Sequence, residues 1–325
     1  MLTVCKMEYN KLETRSVIKI LSKGQTKKVS ESKINKELKW CHNNYCFSTY
    51  SYCKNKKTGK RLSSKEILKK THTGNCIGMS YGLKEILKKK YGIRSYLVPA
   101  TVPESFQREG YLEISHVALM IPGNKPWEFY LADPAFYFLK PLAMKPSVVM
   151  GESYSTTGKM SNIYNKSEVN VENFEARTKV LRTDLILNAH QKIEKLTPIV
   201  ECSQINTGNL YGGLQSSSLE WNYFITEIKN PDEAITSFFQ EIWKRTPFIT
   251  RTQTQKGQVV CRASIHQKED NRVVIKKYNI PYYDGLVRDL TLKEMKYWKK
   301  IFNLKMFKQM SKWRDYLIRG ERCYF

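Results

Sequence analysis

The sequence predicts an α+β fold. Three observations carry this: apolar residues at helical spacing before residue 92, a hairpin pattern over residues 114–133, and short strands leading into an amphipathic helix after residue 219. A chain of 325 residues can bury a substantial core and hold two or three domains. At 41% hydrophobic and 12% aromatic residues, a disordered chain is excluded. The apolar runs fall far short of the ~20 residues that span a bilayer. The opening stretch MLTVCKMEYNKLE has no apolar signal core, so a soluble, cytoplasmic protein with no membrane partner is expected.

The net charge is +25, and its distribution is uneven. Residues 1–70 hold 18 Lys/Arg against five Asp/Glu, and residues 287–325 hold 11 against four. Basic ends suit phosphates, whether of a phosphorylated cofactor or of nucleic acid bound without sequence preference. No nucleic-acid-binding motif accompanies the charge, and a solvated surface accounts for it as simply. The eight cysteines follow no framework spacing and read as reduced thiols. Cys41, Cys46 and Cys53, with His42, form the only cluster, but they lack a paired C-x2-C knuckle, so no metal is expected.

Taken in order, residues 1–92 read as a helical domain. Glu31 to Trp40 places Ile34 and Leu38 on one side, and CHNNYCFSTYSYC reads as loop or irregular strand. Ser63 and Ser64 cap a short helix with Ile67 and Leu68 inward. The next helix begins at about Cys76. Met79, Leu83, Ile86 and Leu87 form its buried stripe, Lys88 to Lys90 suit its C-terminal dipole, and Gly92 closes it. An ordinary thiol, pKa about 8.5, is only slightly ionised at neutral pH; the positive end of a helix favours the thiolate.

Residues 93–218 read as a β domain. Ile93 to Val98 is a strand and Pro99 to Gly110 a polar loop. A hairpin follows, with Ile114, His116, Ala118 and Met120 on one face, and Trp127, Phe129, Leu131 and Asp133 on the same face of the returning arm. A turn centred on Asn124 and Lys125 would oppose Met120 to Phe129, Ala118 to Leu131 and His116 to Asp133. Residues 140–215 read as loop with short strands, 172–196 as a helix or two strands. Residues 219–325 read as a strand, a helix from Asn230 burying Ala234, Ile235, Phe238, Phe239, Ile242 and Trp243, and a meander. An amphipathic helix follows, burying Leu292, Met295, Trp298 and Phe302, and then a basic helical tail.

Singly, a cysteine on a helix is commonly a small buried hydrophobe, a strand histidine is commonly structural, and Asp before Pro commonly starts a turn. Together, Cys76, His116 and Asp133 suggest a nucleophile, its base and the group that orients the base. His72, four residues before Cys76, is a rival base; His190 and His266 have no such neighbours in sequence.

Cysteine on a helix start, histidine on a strand and aspartate on the next strand resemble the transglutaminase-like superfamily, with HVALMI and WEFYLADPAF standing as its His and Asp-Pro strands. Within it, the spacings of 40 residues from Cys76 to His116 and 17 from His116 to Asp133 are similar to those of arylamine N-acetyltransferases. NPDEAITSFFQEIWKRTPFITRTQ, the meander and LTLKEMKYWKKIFNL resemble their third domain. The resemblance covers roughly residues 60–305. It departs at His72-Thr73-Gly74-Asn75-Cys76, where the family has Arg-Gly-Gly-x-Cys, at Ile77-Gly78-Met79-Ser80, where it has Phe-Glu-x-Asn, and at Asp133-Pro134-Ala135-Phe136-Tyr137, where it has Asp-Val-Gly-Phe-Gly. Only Cys76, His116 and Asp133 are therefore carried over as catalytic residues.

The resemblance implies an N-terminal helical region, a central antiparallel β-barrel-like domain and a C-terminal α/β lid. It implies a cysteine-dependent acyltransferase with no permanently bound cofactor, acetyl-CoA or another acyl-CoA as co-substrate and a small amine as acceptor, working by ping-pong kinetics. Two readings stand beside it: a transglutaminase-like amide transferase or cysteine peptidase, and a basic structural or nucleic-acid-associated protein on a retired enzyme fold.

Overall fold

The computed structural model describes residues 14–52, 62–102, 107, 111–112, 114–126, 128–136, 138, 141–144, 153–161, 171–179, 200–204, 219–224, 226–236, 248–255, 258–268, 270, 272–277, 280–286 and 289–302. The expected basic tail beyond 305, Trp127, Phe238 to Trp243, His190 and Cys53 lie outside them.

After strand β1 (Thr14–Ser16) and the single turn α1 (Ile18–Leu21), helix α2 spans Glu31–Asn44. It buries Ile34, Leu38 and Cys41, and Ser30 caps its start by accepting from the Lys33 N–H. Part of the stretch expected to be irregular is thus helical, and it continues as strand β2 (Cys46–Ser48) and a 3₁₀ turn, Thr49–Tyr52. Helix α3 (Ser64–Thr71) carries a reciprocal cap between Ser63 and Glu66; it buries Leu68 and leaves Ile67 half-exposed. Strand β3 (Thr73–Gly74) pairs parallel with β2 and leads straight into helix α4 (Cys76–Tyr91).

The expected stripe of α4 is present: Met79, Leu83 and Leu87 are fully buried, each stabilising the fold by about 1.5–3 kcal/mol. Gly92 ends α4 at φ 66°, a left-handed conformation that costs glycine little.

An eight-stranded sheet packs beside α4. Its strands are β4 (Tyr96–Ala100), β5 (His116–Pro122), β6 (Phe129–Ala132), β7 (Leu142–Met144), β8 (Ser153–Ser161), β9 (Val171–Lys179), β10 (Val200–Gln204) and β11 (Leu219–Tyr223), in spatial order β7-β6-β5-β4-β11-β10-β9-β8. The expected barrel is not closed: among the described residues no ladder joins β7 to β8, and three-residue β7 offers little edge to nine-residue β8. Strand β4 begins three residues later than expected and includes Pro99, whose carbonyl accepts from the Phe224 N–H at 3.0 Å. Of the loop with short strands expected over 140–215, Ser153–Ser161 is a nine-residue strand, and of the two alternatives for 172–196 the strand one holds over Val171–Lys179.

Strand β12 (Thr226–Ile228) pairs with β1, and a wide helical turn over Asp232–Thr236 buries Ala234 and Ile235. The expected meander is β13 (Phe248–Gln255), β14 (Gln258–Gln267) and β15 (Val273–Lys277), joined by a further strand, β16 (Ile280–Gly285). This sheet continues through β13 onto β2 and β3, so the C-terminal strands are laddered to those that introduce Cys76. Helix α5 (Leu292–Phe302) buries Trp298 and Phe302 against it. Leu292, expected in that buried face, is 82% exposed, because it opens the helix beyond the sheet while the packed stripe begins at Met295. Among the described residues, no helix is long and apolar enough to cross a membrane.

Candidate active site

Cys76 is the first residue of α4, 3% exposed, beneath the positive end of the helix dipole. Asn75 caps this end: its side-chain oxygen accepts from the Gly78 N–H at 2.9 Å, and its backbone oxygen accepts from Met79 at 3.0 Å. The N–H groups of Cys76 and Ile77 are among those left without an intrahelical partner at a helix start. The Asn75 amide donates to Thr236 Oγ1 at 3.3 Å, tying the cap to the turn after β12. One turn into α4, the Ser80 hydroxyl donates to the Val117 carbonyl at 3.2 Å. That bond holds the cysteine helix against β5 beside His116.

His116 Nε2 lies 2.6 Å from Asp133 Oδ2. The strand register that brings them together differs from the expected one. Met120 faces Leu131 and Pro122 faces Phe129, so β6 is shifted two residues along β5. The turn is wider than expected, closed by the Gly123 N–H donating to the Glu128 carbonyl at 2.7 Å. A two-residue shift preserves the faces, whereas a one-residue shift inverts them. His116 and Asp133 therefore remain on one face and meet diagonally rather than as an opposed pair.

Asp133 is fully buried and richly hydrogen-bonded. Oδ2 also accepts the Tyr223 hydroxyl at 2.7 Å, and Oδ1 accepts the N–H groups of Ala135 at 3.1 Å and Phe136 at 2.9 Å. A buried carboxylate is tolerable only with such partners. The Phe136 ring lies over the imidazole, centroids 4.2 Å apart, and limits its rotation.

Burial alone would hold the His116 ring neutral. The charge of Asp133, its hydrogen bond and the hydrogen bond and charge of Cys76 overcome that and raise its pKa to about 10. With Nε2 given to Asp133, Nδ1 is the ring nitrogen left for the thiol. The candidates Cys76, His116 and Asp133 are thus brought together, with the ring between the thiol and the carboxylate.

Two participants, Tyr223 and Tyr52, have no signal in the sequence, and a third, His42, stands out there only beside the cysteine cluster. Tyr223 comes from β11, 90 residues beyond Asp133. Tyr52, at the end of the 3₁₀ turn, hydrogen-bonds through its hydroxyl with the side chains of Asn75 and Cys76; burial first, then the charge of Cys76, raise its pKa well above the usual phenol value. His42, fully buried on α2, is pushed down to about 3 by burial, with Asp133 opposing that shift and Arg251 adding to it. Arg251, buried on β13, donates to the carbonyls of Asn43 and Tyr45 at the end of α2.

His72, the rival base, takes a left-handed backbone (φ 57°) as the cap of α3 and meets Tyr45 edge-on. It lines a cleft of about 240 Å³ whose wall on α4 begins at Tyr81, past the cysteine end. His266 stacks on Phe248. Cys41, Cys46 and Cys76 are buried thiols, and among the described residues no group of three His, Cys, Asp or Glu side chains is placed to hold a metal ion.

No protein-family model and no curated protein matches the sequence. Solved structures do match in fold. The arylamine N-acetyltransferase of Mycobacterium marinum, solved in complex with CoA, aligns over 95% of this chain and 99% of its own at a TM-score of 0.52 and 10% identity. An arylamine N-acetyltransferase of Mycobacterium smegmatis aligns over 94% and 97% at 0.51, also with 10% identity. The fold of this chain is that of the arylamine N-acetyltransferases.

Proposed function

We propose that the protein is a cysteine acyltransferase that moves an acyl group from an acyl-CoA thioester to an amine. The observation that carries this reading is the buried line from Cys76 through His116 to Asp133 at the start of α4. The likeness of its fold to an enzyme solved with CoA supports a CoA thioester as donor, and the excess of Lys and Arg suits its phosphates.

In the first half-reaction the Cys76 thiolate attacks the carbonyl carbon, forming the C–S bond while the carbonyl electrons move onto oxygen. Collapse breaks the bond to the donor sulfur, which leaves as a thiol carrying the proton held by His116. In the second half, an amine attacks the acyl-cysteine, His116 takes its proton, and Cys76 leaves as thiolate. Asp133 keeps the ring oriented and stabilises its cationic form throughout.

Intact-mass analysis after mixing with acetyl-CoA tests this. An acetyl adduct is expected on the wild-type protein and not on Cys76→Ala. No adduct with any of several acyl-CoAs would overturn the reading, and amine incorporation into a Gln-containing protein would redirect it to amide transfer.

A further inference from the structure

A phenol stands against the nucleophile. Tyr52 ends the 3₁₀ turn that follows β2, and β2 runs parallel to β3, whose next residues are Asn75 and Cys76. Thr49, at the other end of the turn, is clamped to β13: its hydroxyl accepts from the Phe248 N–H at 2.8 Å and approaches the Phe248 carbonyl at 3.3 Å. The ring is 4% exposed and belongs to the main core, so its hydroxyl has little freedom to turn away. That hydroxyl hydrogen-bonds with Cys76 and with Asn75, the cap of α4. Buried phenols seek a partner, and a packing role alone would be met by phenylalanine.

We infer that Tyr52 is a further catalytic residue, the side-chain donor that stabilises the oxyanion formed when Cys76 attacks an acyl carbonyl. The inference rests on the acyltransfer reading above. In the resting site the hydroxyl donates to the sulfur. Once the sulfur electron pair has become the C–S bond, the sulfur no longer holds that hydrogen bond strongly. The carbonyl oxygen, now an anion one bond from the same carbon, becomes the better acceptor within reach. The phenol proton is shared and never transferred. The raised pKa agrees with this, since a phenol that resists ionisation remains a donor over the working pH range. The unpaired N–H groups of the first turn of α4 supply the remaining donors.

The test compares two reactions at one sulfur. Acylation by p-nitrophenyl acetate or acetyl-CoA passes through an oxyanion; alkylation by iodoacetamide displaces iodide and does not. Both rates are read on their high-pH plateaus. For Tyr52→Phe, acylation is expected to fall about 100-fold while alkylation stays within about threefold of wild type. Circular dichroism at the same pH establishes that the variant is folded, and Tyr52→Gln, which keeps a donor, is expected to recover part of the lost acylation. Equal changes in both rates, or none in either, would overturn the assignment of Tyr52 while leaving acyl transfer intact. A wild-type protein that alkylates but never acylates would remove both.

Discussion

Asp133 holds His116 at 2.6 Å from a position two residues out of step with the strand pairing that the hairpin pattern implies. The shift is harmless because side chains on a strand repeat every two residues. The aspartate has also left the ladder: β6 ends at Ala132, and the turn after it lets Asp133 bond the amides of Ala135 and Phe136 while its second oxygen faces the imidazole. The carboxylate is positioned by a turn, and the ring by a strand.

Replacing Asp133 by Asn tests that division. The amide keeps the shape but presents a donor where His116 and Tyr223 need an acceptor. Acyl transfer is expected to fall by about 10⁴-fold. Tyr223→Phe removes one of the four bonds and is expected to lower stability by about 1.5–3 kcal/mol. Single-turnover acylation and urea unfolding separate the two effects.

The raised pKa of His116 has a signed consequence for stability. The ring binds its proton more tightly folded than unfolded, so its charge stabilises the fold fully below the unfolded value of about 6.5. That contribution is lost as pH rises through about 10. The stability difference between wild type and His116→Gln, measured by urea unfolding, is expected to shrink from pH 7 to pH 10. A difference that grew over this window would contradict the assigned ion pair.

His42 works in the opposite direction. Its folded pKa, pushed down to about 3, means that the stability from keeping it neutral is present above about 6.5 and lost as pH falls toward 3. Between pH 6 and pH 4 it is expected to cost up to about 1.4 kcal/mol per pH unit. His42→Leu is expected to lessen the acid sensitivity of the urea midpoint relative to wild type, whatever its effect at pH 7.

Gly82, in the middle of α4, is a glycine where helix propensity would favour alanine by about 1 kcal/mol. A β-carbon there would lie 2.6 Å from Tyr45 Cε2 and 2.8 Å from Leu68 Cδ2. Overpacking of this kind costs about 1–3 kcal/mol. Gly82→Ala is therefore expected to destabilise the protein in urea. Pairing it with Leu68→Ala, which empties the space, is expected to recover part of that loss relative to the sum of the single changes.

Helix α4 was legible in the sequence almost to the residue, because its signals are local: Asn75 before it, the stripe from Met79 to Leu87, and Gly92 after it. The alternation that placed His116 and Asp133 on one face was equally local. The turn joining them was not, since Gly123 to Glu128 contains no pair of residues demanding a particular tight turn. The full extent of strand β8 is not legible in the sequence because SYSTTGKMS is polar, without the alternating apolar residues that mark a half-buried strand. Helical period alone puts Leu292 inward, but period says which residues share a face and not how far along the helix its partner sheet reaches.

The sequence by itself determined the caps and the periods, because each depends on residues within a few positions of one another, and it displays the order of thiol, imidazole and carboxylate directly. Tertiary structure alone decided that Tyr223 would reach Asp133 across 90 residues, that Tyr52 would come to rest on Cys76, and that the C-terminal meander would continue the sheet of β2 and β3. Such pairings are selected by loop closure and by the packing of whole faces against each other, and no spacing along the chain encodes them.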